Sequence, residues 1–200
     1  MANVNKPAGL IPVGHLLGLD WSQRIATYYI PSGDTNAYAI GDPVASSSGL
    51  ADANGVHSVT LATAGATHNI RGVIVGMGAY ESGMFDPNNL NTTIIPATKT
   101  KNYYVMVVDD PYVIFEVNSN AGGTAYTAAD IGKNANLAAG ANNGFVSGWV
   151  LDTTGASNVS ATYQLHLLGI ARRQDNAFGA YCKFNVLINT HELRSAITGV

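Results

Sequence analysis

The sequence predicts an all-β fold: a β-sandwich or β-barrel, jelly-roll-like, of roughly ten short strands. Three observations carry this expectation. Short runs rich in Val, Ile, Tyr and Phe recur along the chain, separated by clusters of Gly, Pro, Asn and Asp. β-Branched and aromatic side chains fit a pleated, partly buried surface, and the separating residues suit turns. In residues 181–193, YCKFNVLINTHEL, Cys182, Phe184, Val186 and Ile188 alternate with Tyr181, Lys183 and Asn185, which is the two-residue period of a strand. Finally, no long stretch shows helical periodicity, and only single turns are expected, at residues 127–133 and 192–197.

Residues 1–20 read as an irregular arm in front of a single β-rich domain, 21–200. Pro7, Gly9, Pro12, Gly14 and Gly18 leave no room for a helix or a long strand. Yet Leu10, Ile11, Val13, Leu16, Leu17 and Leu19 make the arm too apolar for a disordered tail. It is expected to be pinned on a surface, its own or a neighbour's. Residues 23–30 (QRIATYYI) form a strand ended by the Pro31-Ser32-Gly33-Asp34 turn. Residues 37–45 (AYAIGDPVA) form one bent at Gly41-Asp42-Pro43. A loop is expected over 46–55, a strand over 56–62, and a buried strand over 70–76.

Residues 78–101 are the least regular and carry Met84 and Phe85, apolar residues expected to pack on something. Residues 103–117 (YYVMVVDDPYVIFEV) read as a β-hairpin around Asp109-Asp110-Pro111. Its first strand is apolar on both faces. That implies burial on both sides or an oligomer contact through Val105 and Val107. Residues 129–137, 145–151 and 163–171 loosely echo earlier runs, which would be explained by an internal duplication. The C-terminal strand is expected inside a sheet.

Composition narrows the function classes. Of the 200 residues, 46% are hydrophobic and only 12% charged, about half the ~25% usual in soluble domains. A surface of small neutral residues packs on another protein at little cost in desolvation or side-chain entropy. The composition therefore favours an assembly component over a free enzyme. A net charge of -3 with ten scattered Lys and Arg argues against a nucleic-acid partner. No apolar run is long enough for a transmembrane helix, and neither a membrane partner nor a signal peptide is expected. The single cysteine, Cys182, excludes an intrachain disulfide and reads as a buried small hydrophobe.

Chemistry-bearing motifs are missing. His15, His57, His68, His166 and His191 show no metal-ligand spacing, and no nucleophile elbow, P-loop or dinucleotide fingerprint occurs. No cofactor, no metal and no enzymatic activity are expected. Asp109 and Asp110 read as turn formers. Trp21, Trp149 and Tyr80 could supply the aromatic platform of a receptor- or glycan-binding β-sandwich domain of a phage tail or adhesin, which is the alternative reading.

Four stretches carry a family resemblance: AGLIPVGHLLG near the N-terminus, AIGDPVA, VVDDPYVIFEV, and NVLINTHELRS near the C-terminus. Together they span about residues 8 to 194, and they resemble the head cement or decoration proteins of tailed bacteriophages. The resemblance implies a virion protein made in the bacterial host cytoplasm. It would sit on the capsid exterior, bind the major capsid protein and clamp neighbouring subunits, as a homo-oligomer (dimer or trimer). The expected capsid contacts are Leu10, Ile11, Pro12 and Leu16 of the arm with Met84 and Phe85, and removal of residues 1–20 is expected to leave the fold intact.

Overall fold

The structure, a computed structural model, describes residues 3–81, 84–85, 93–155, 157, 159–196 and 198–199. The chain is all-β, as expected. The strands run in order β1 (Ile11–His15), β2 (Ile25–Ile30), β3 (Tyr38–Ala39), β4 (Pro43–Ala51), β5 (His57–Leu61), β6 (Gly72–Glu81), β7 (Met84–Phe85), β8 (Ile94–Ile95), β9 (Tyr103–Val108), β10 (Val113–Asn118), β11 (Asn134–Ala135), β12 (Leu137–Ala138), β13 (Val150–Leu151), β14 (Leu165–Ile170) and β15 (Lys183–Ile188). Single 3-10 turns occupy Trp21–Gln23 and Ala128–Asp130. The second carries a capping box between Thr127 and Asp130, in which each satisfies a backbone N–H of the other.

Two principal sheets organise the strands. One is five-stranded, β1-β10-β15-β14-β11; the other is six-stranded, β4-β5-β2-β9-β6-β7. Two-stranded ribbons, β12-β13 and β3-β8, complete the set. Each principal sheet has its own core. The first holds Val113, Phe115, Phe184, Val186, Ile188, Leu165 and Leu167 from the five-stranded sheet, with Leu137, Trp149 and Leu151 from the β12-β13 region. The second holds Tyr28, Ile30, Ile74, Val105 and Val107 with Tyr38 and Ile95 from the β3-β8 ribbon. Leu61 packs against both.

β15 lies between β10 and β14, inside its sheet as its alternation implied. Cys182, Phe184, Val186 and Ile188 are all buried in the first core. The expected loop over 46–55 is in part strand, because β4 continues to Ala51 and pairs with β5 across an irregular register. The arm also contains a strand. β1 runs antiparallel along β10 at the sheet edge, with a shift between Pro12 and Gly14. A bulge is how a segment holding Pro12 and Gly14 accommodates a strand.

Residues 103–117 do not form a hairpin. β9 pairs with β2 and β6, whereas β10 pairs with β1 and β15, so both edges of each strand are occupied. Asp109-Asp110-Pro111 is a corner that carries the chain from one sheet to the other. This also explains the two-faced character of β9. Val105 and Val107, 1% and 0% exposed, face the second core, while Val108 is built into the first. The expected oligomer contact through Val105 and Val107 is thereby corrected: their surface is consumed by the chain's own core. Met106, between them, is the exposed residue of the strand.

Candidate functional site

The corner at Asp109 and Asp110 is the centre of a polar seam between the two sheets. Asp109 Oδ2 accepts a 2.6 Å hydrogen bond from the Tyr28 hydroxyl on β2, and Arg71 Nη2 lies 3.4 Å away. Arg71 Nε donates to the Tyr28 oxygen at 2.7 Å, and the guanidinium carbon sits 5.4 Å from the Tyr28 ring centre. The same guanidinium reaches Glu192, beyond β15, at 3.9 Å. Glu192 in turn accepts from the backbone and hydroxyl of Ser46 on β4. Arg71 thus links the six- and five-stranded sheets, beside the backbone bonds from Ile70 N to Thr190 O and from Glu192 N to Ile70 O.

Asp110 serves the arm. Its Oδ2 lies 3.3 Å from His15 Nε2 and 3.6 Å from Arg24 Nε. The Leu17 N–H donates to His15 Nδ1 at 3.1 Å, so the ring proton sits on Nε2 and points at the carboxylate. Asp110 Oδ1 accepts from Tyr112 N at 2.8 Å, the Asx-type turn contact expected of it. Turn formation was legible from the residue types. The ion pairs were not, because Arg24, Arg71 and Glu192 are remote in sequence.

The end of the seam is closed by the residues after β15. His191 is buried, accepts from Leu193 N at 3.1 Å on Nδ1, and leaves Nε2 without a partner among the described residues. Burial, helped by the positive charge of Arg71, holds its pKa down at about 4. Arg194 donates to the Ile188 carbonyl at 3.0 Å and lies 5.8 Å from the Tyr112 ring centre.

The sequence-predicted contact residues separate into distinct groups. Leu10 is 1% exposed and belongs to the first core, which corrects its placement as an outward contact. Ile11 and Leu16 are exposed, as are their neighbours Val13, Leu17 and Leu19. Pro12 is half-buried. Leu10, Ile11 and Pro12 also line an apolar groove of about 300 Å³ together with Trp21, Ile40 and Val146. Met84 and Phe85 form β7 against Tyr80 and Glu81, and their side chains lie outside the described residues, as does that of Tyr80. Trp149 is buried in the first core, which removes it from any exposed aromatic platform, while Trp21 is half-buried against the same core.

The arm is anchored too firmly to be dispensable. Leu10 N donates to Gly41 O at 3.0 Å and Leu16 N to Tyr112 O at 2.9 Å. At the first contact Gly41 has φ +93°, and a Cβ there would stand 2.2 Å from the Ala8 carbonyl oxygen, so only glycine fits. Deleting residues 1–20 would strip an edge strand from β10 and a side chain from the core, contrary to the expectation of an intact fold.

Among the described residues no group of three or more His, Cys, Asp or Glu is arranged to hold a metal ion, and no helix is long and apolar enough to cross a membrane. Compared with protein-family models, with curated proteins and with solved structures, the chain matches none.

Proposed function

We propose that this chain is a structural virion protein that binds the outer surface of a bacteriophage capsid and clamps neighbouring major capsid protein subunits. The observation that supports this reading is convergence. The four stretches that resemble phage cement proteins are far apart in sequence but are bonded to one another in the fold. The arm bonds to Gly41 at one end and to Tyr112 and Asp110 at the other, and Asp109 reaches Glu192 through Arg71. Most of their apolar residues are core, but three of the four stretches also expose apolar side chains close together, on the arm and at Tyr112 and Leu193.

That surface has the character of a protein contact. Ile11, Val13, Leu16, Leu17 and Leu19 are exposed apolar residues within nine positions, with Tyr112 and Leu193 exposed at the seam's end. Apolar residues concentrated in this way mark interaction sites more often than bare surface. The backbone beneath them is held by β10 and by Asp110, so little ordering entropy is lost on contact. A homo-oligomer that places several such ridges on one shell gains from effective concentration, since each later contact becomes intramolecular.

The test is co-sedimentation of purified protein with capsids that lack it. The double substitution Leu16→Ser with Leu17→Ser alters only exposed side chains, and is expected to keep the wild-type circular dichroism spectrum while losing most capsid binding. Wild-type binding by a folded double variant overturns the assignment of the ridge. Failure of the wild-type protein to sediment with any capsid overturns the function.

A further inference from the structure

A cavity of about 400 Å³ lies away from the seam, between the bend at Asp42 and the segment leading to β13. Its floor is buried and includes Asp42 and Trp149, while Gly140 and Ala141 on its rim are exposed. Leu61, Ala37 and Asn142 complete the wall. The rim is set by close backbone approach, since a Cβ on Gly148 would stand 1.9 Å from the Ala141 carbonyl oxygen.

Asp42 is the one fully buried acid among the described residues; of the half-buried acids Asp52 and Asp152 also lack an ion pair, and the others have one. Asp34 lies against Lys99, Asp109 and Glu192 against Arg71, Asp110 against Arg24, Glu116 against Arg173, and Asp130 against Lys133. Asp42 is 3% exposed and forms no ion pair among the described residues. Its Oδ2 accepts from the Ala39 amide at 2.7 Å, which serves the bend. Burial raises its pKa despite that bond and one from Ser147, so the carboxylate is under-compensated. A buried acid without a counter-ion, on the floor of a cavity with an accessible rim, is a feature to which a ligand can contribute the missing charge.

We propose that this cavity binds an organic cation, a primary ammonium on a short apolar stem, with the Asp42 carboxylate as its counter-ion. The stem lies along Ala37, Leu61 and Ala141, and the ammonium donates to Asp42 and to backbone carbonyls of the rim. A free alkylamine and a lysine side chain of another protein share this chemistry.

The full-length chain, labelled with carbon-13 and nitrogen-15, is titrated with n-butylammonium, with Nα-acetyl-lysine amide, and with butan-1-ol as the neutral counterpart. The resonances followed are the Asp42 carboxyl carbon and the Trp149 indole N–H. Saturable shifts at both positions with an ammonium probe are expected, with binding at least roughly tenfold weaker for the alcohol. Asp42→Asn, which keeps an acceptor for the Ala39 amide, is expected to erase the preference for the cation. Tighter binding of the lysine amide assigns the site to a protein side chain, and tighter binding of butylammonium to a free amine. Equal binding of alcohol and ammonium by the wild-type chain, or no saturable shift at Asp42 with either amine, overturns the proposal. Because the decisive readings are made on the wild-type chain, a variant that fails to fold leaves the test standing.

Discussion

The Tyr28 hydroxyl donates a 2.6 Å hydrogen bond to Asp109 Oδ2 while accepting one of 2.7 Å from Arg71 Nε. This three-member arrangement places a β2 side chain, the corner after β9 and the residue before β6 in one hydrogen-bonded unit, and Arg71 extends it to Glu192. The seam is therefore a load-sharing joint between sheets, and its members should respond together to substitution and to pH.

Asp109→Asn keeps the side-chain shape but removes the charge opposite Arg71. A loss of about 1–3 kcal/mol is expected for such a half-buried, charge-assisted contact, read by urea denaturation. Burial first, and then the hydrogen bond to Asp109, pushes the Tyr28 pKa up to about 12. In the unfolded chain the phenol ionises near 10, so between about 10 and 12 the unfolded state holds fewer protons and stability falls as pH rises. Ultraviolet titration of tyrosinate should show Tyr28 ionising earlier in Asp109→Asn. An unchanged Tyr28 titration would remove Asp109 from this account.

His191 gives the opposite edge of the pH range. Its pKa is held down at about 4 in the folded chain, mainly by burial, against an unfolded value near 6.5. Between those values the unfolded state binds the extra proton, so stability is fully present above about 6.5 and declines as pH falls toward 4. His191→Asn retains an acceptor for Leu193 N and cannot titrate there. Its thermal unfolding midpoint should lose less on acidification from pH 7 to 5 than that of the wild-type chain.

The arm separates stability from surface. Leu10→Ala removes a core side chain and should cost about 2–5 kcal/mol, because the site is walled by strands that relax little. Leu17→Ser, at a residue 65% exposed, should change stability by no more than about 0.5 kcal/mol. Chemical denaturation of the two variants side by side checks the contrast, and comparable losses would contradict the burial assigned to them.

Cys182 should be inert in the folded chain. It is buried beside β15, and burial pushes its thiol pKa up to about 11, so almost no thiolate is present at neutral pH. Maleimide labelling should be slow in buffer and rapid in denaturant, and its rate in buffer should rise in Leu10→Ala in step with the lost stability. Rapid labelling of the native wild-type chain would contradict this.

Local signals were reliable where alternate side chains of a strand meet a core. Residues 182–188 alternate because the even-numbered side chains face the first core, while Leu187 on the other face is buried as well, and Ile70 to Val75 read as apolar because that run contributes to both cores. The bend at Gly41 and the turn at Asp110 were legible from residue type, since positive φ and Asx contacts are local demands. Non-local pairing was not. The three-residue corner that reads as a hairpin loop instead changes sheets, because β9 and β10 each find partners on both edges. Nothing within residues 103–117 encodes those partners.

The candidate site divides in the same way. The apolar character of the arm and the exposure of Ile11 and Leu16 follow from a stretch too rich in Leu for a tail and too rich in Gly and Pro for a long strand. That Leu10 turns inward depends on its backbone bond to Gly41, thirty-one positions away in sequence. The seam could not be read at all, since its charges come from residues 24, 71, 109, 110, 192 and 194 and meet only when the sheets are stacked. By itself the sequence determined the all-β class, the most regular strands, such as β15, and the low-charge, apolar composition, because these depend on periodicity and composition. Only the tertiary structure decided which apolar residues are core and which carboxylates find cations, because burial and ion pairing are properties of residues brought together from opposite ends of the chain.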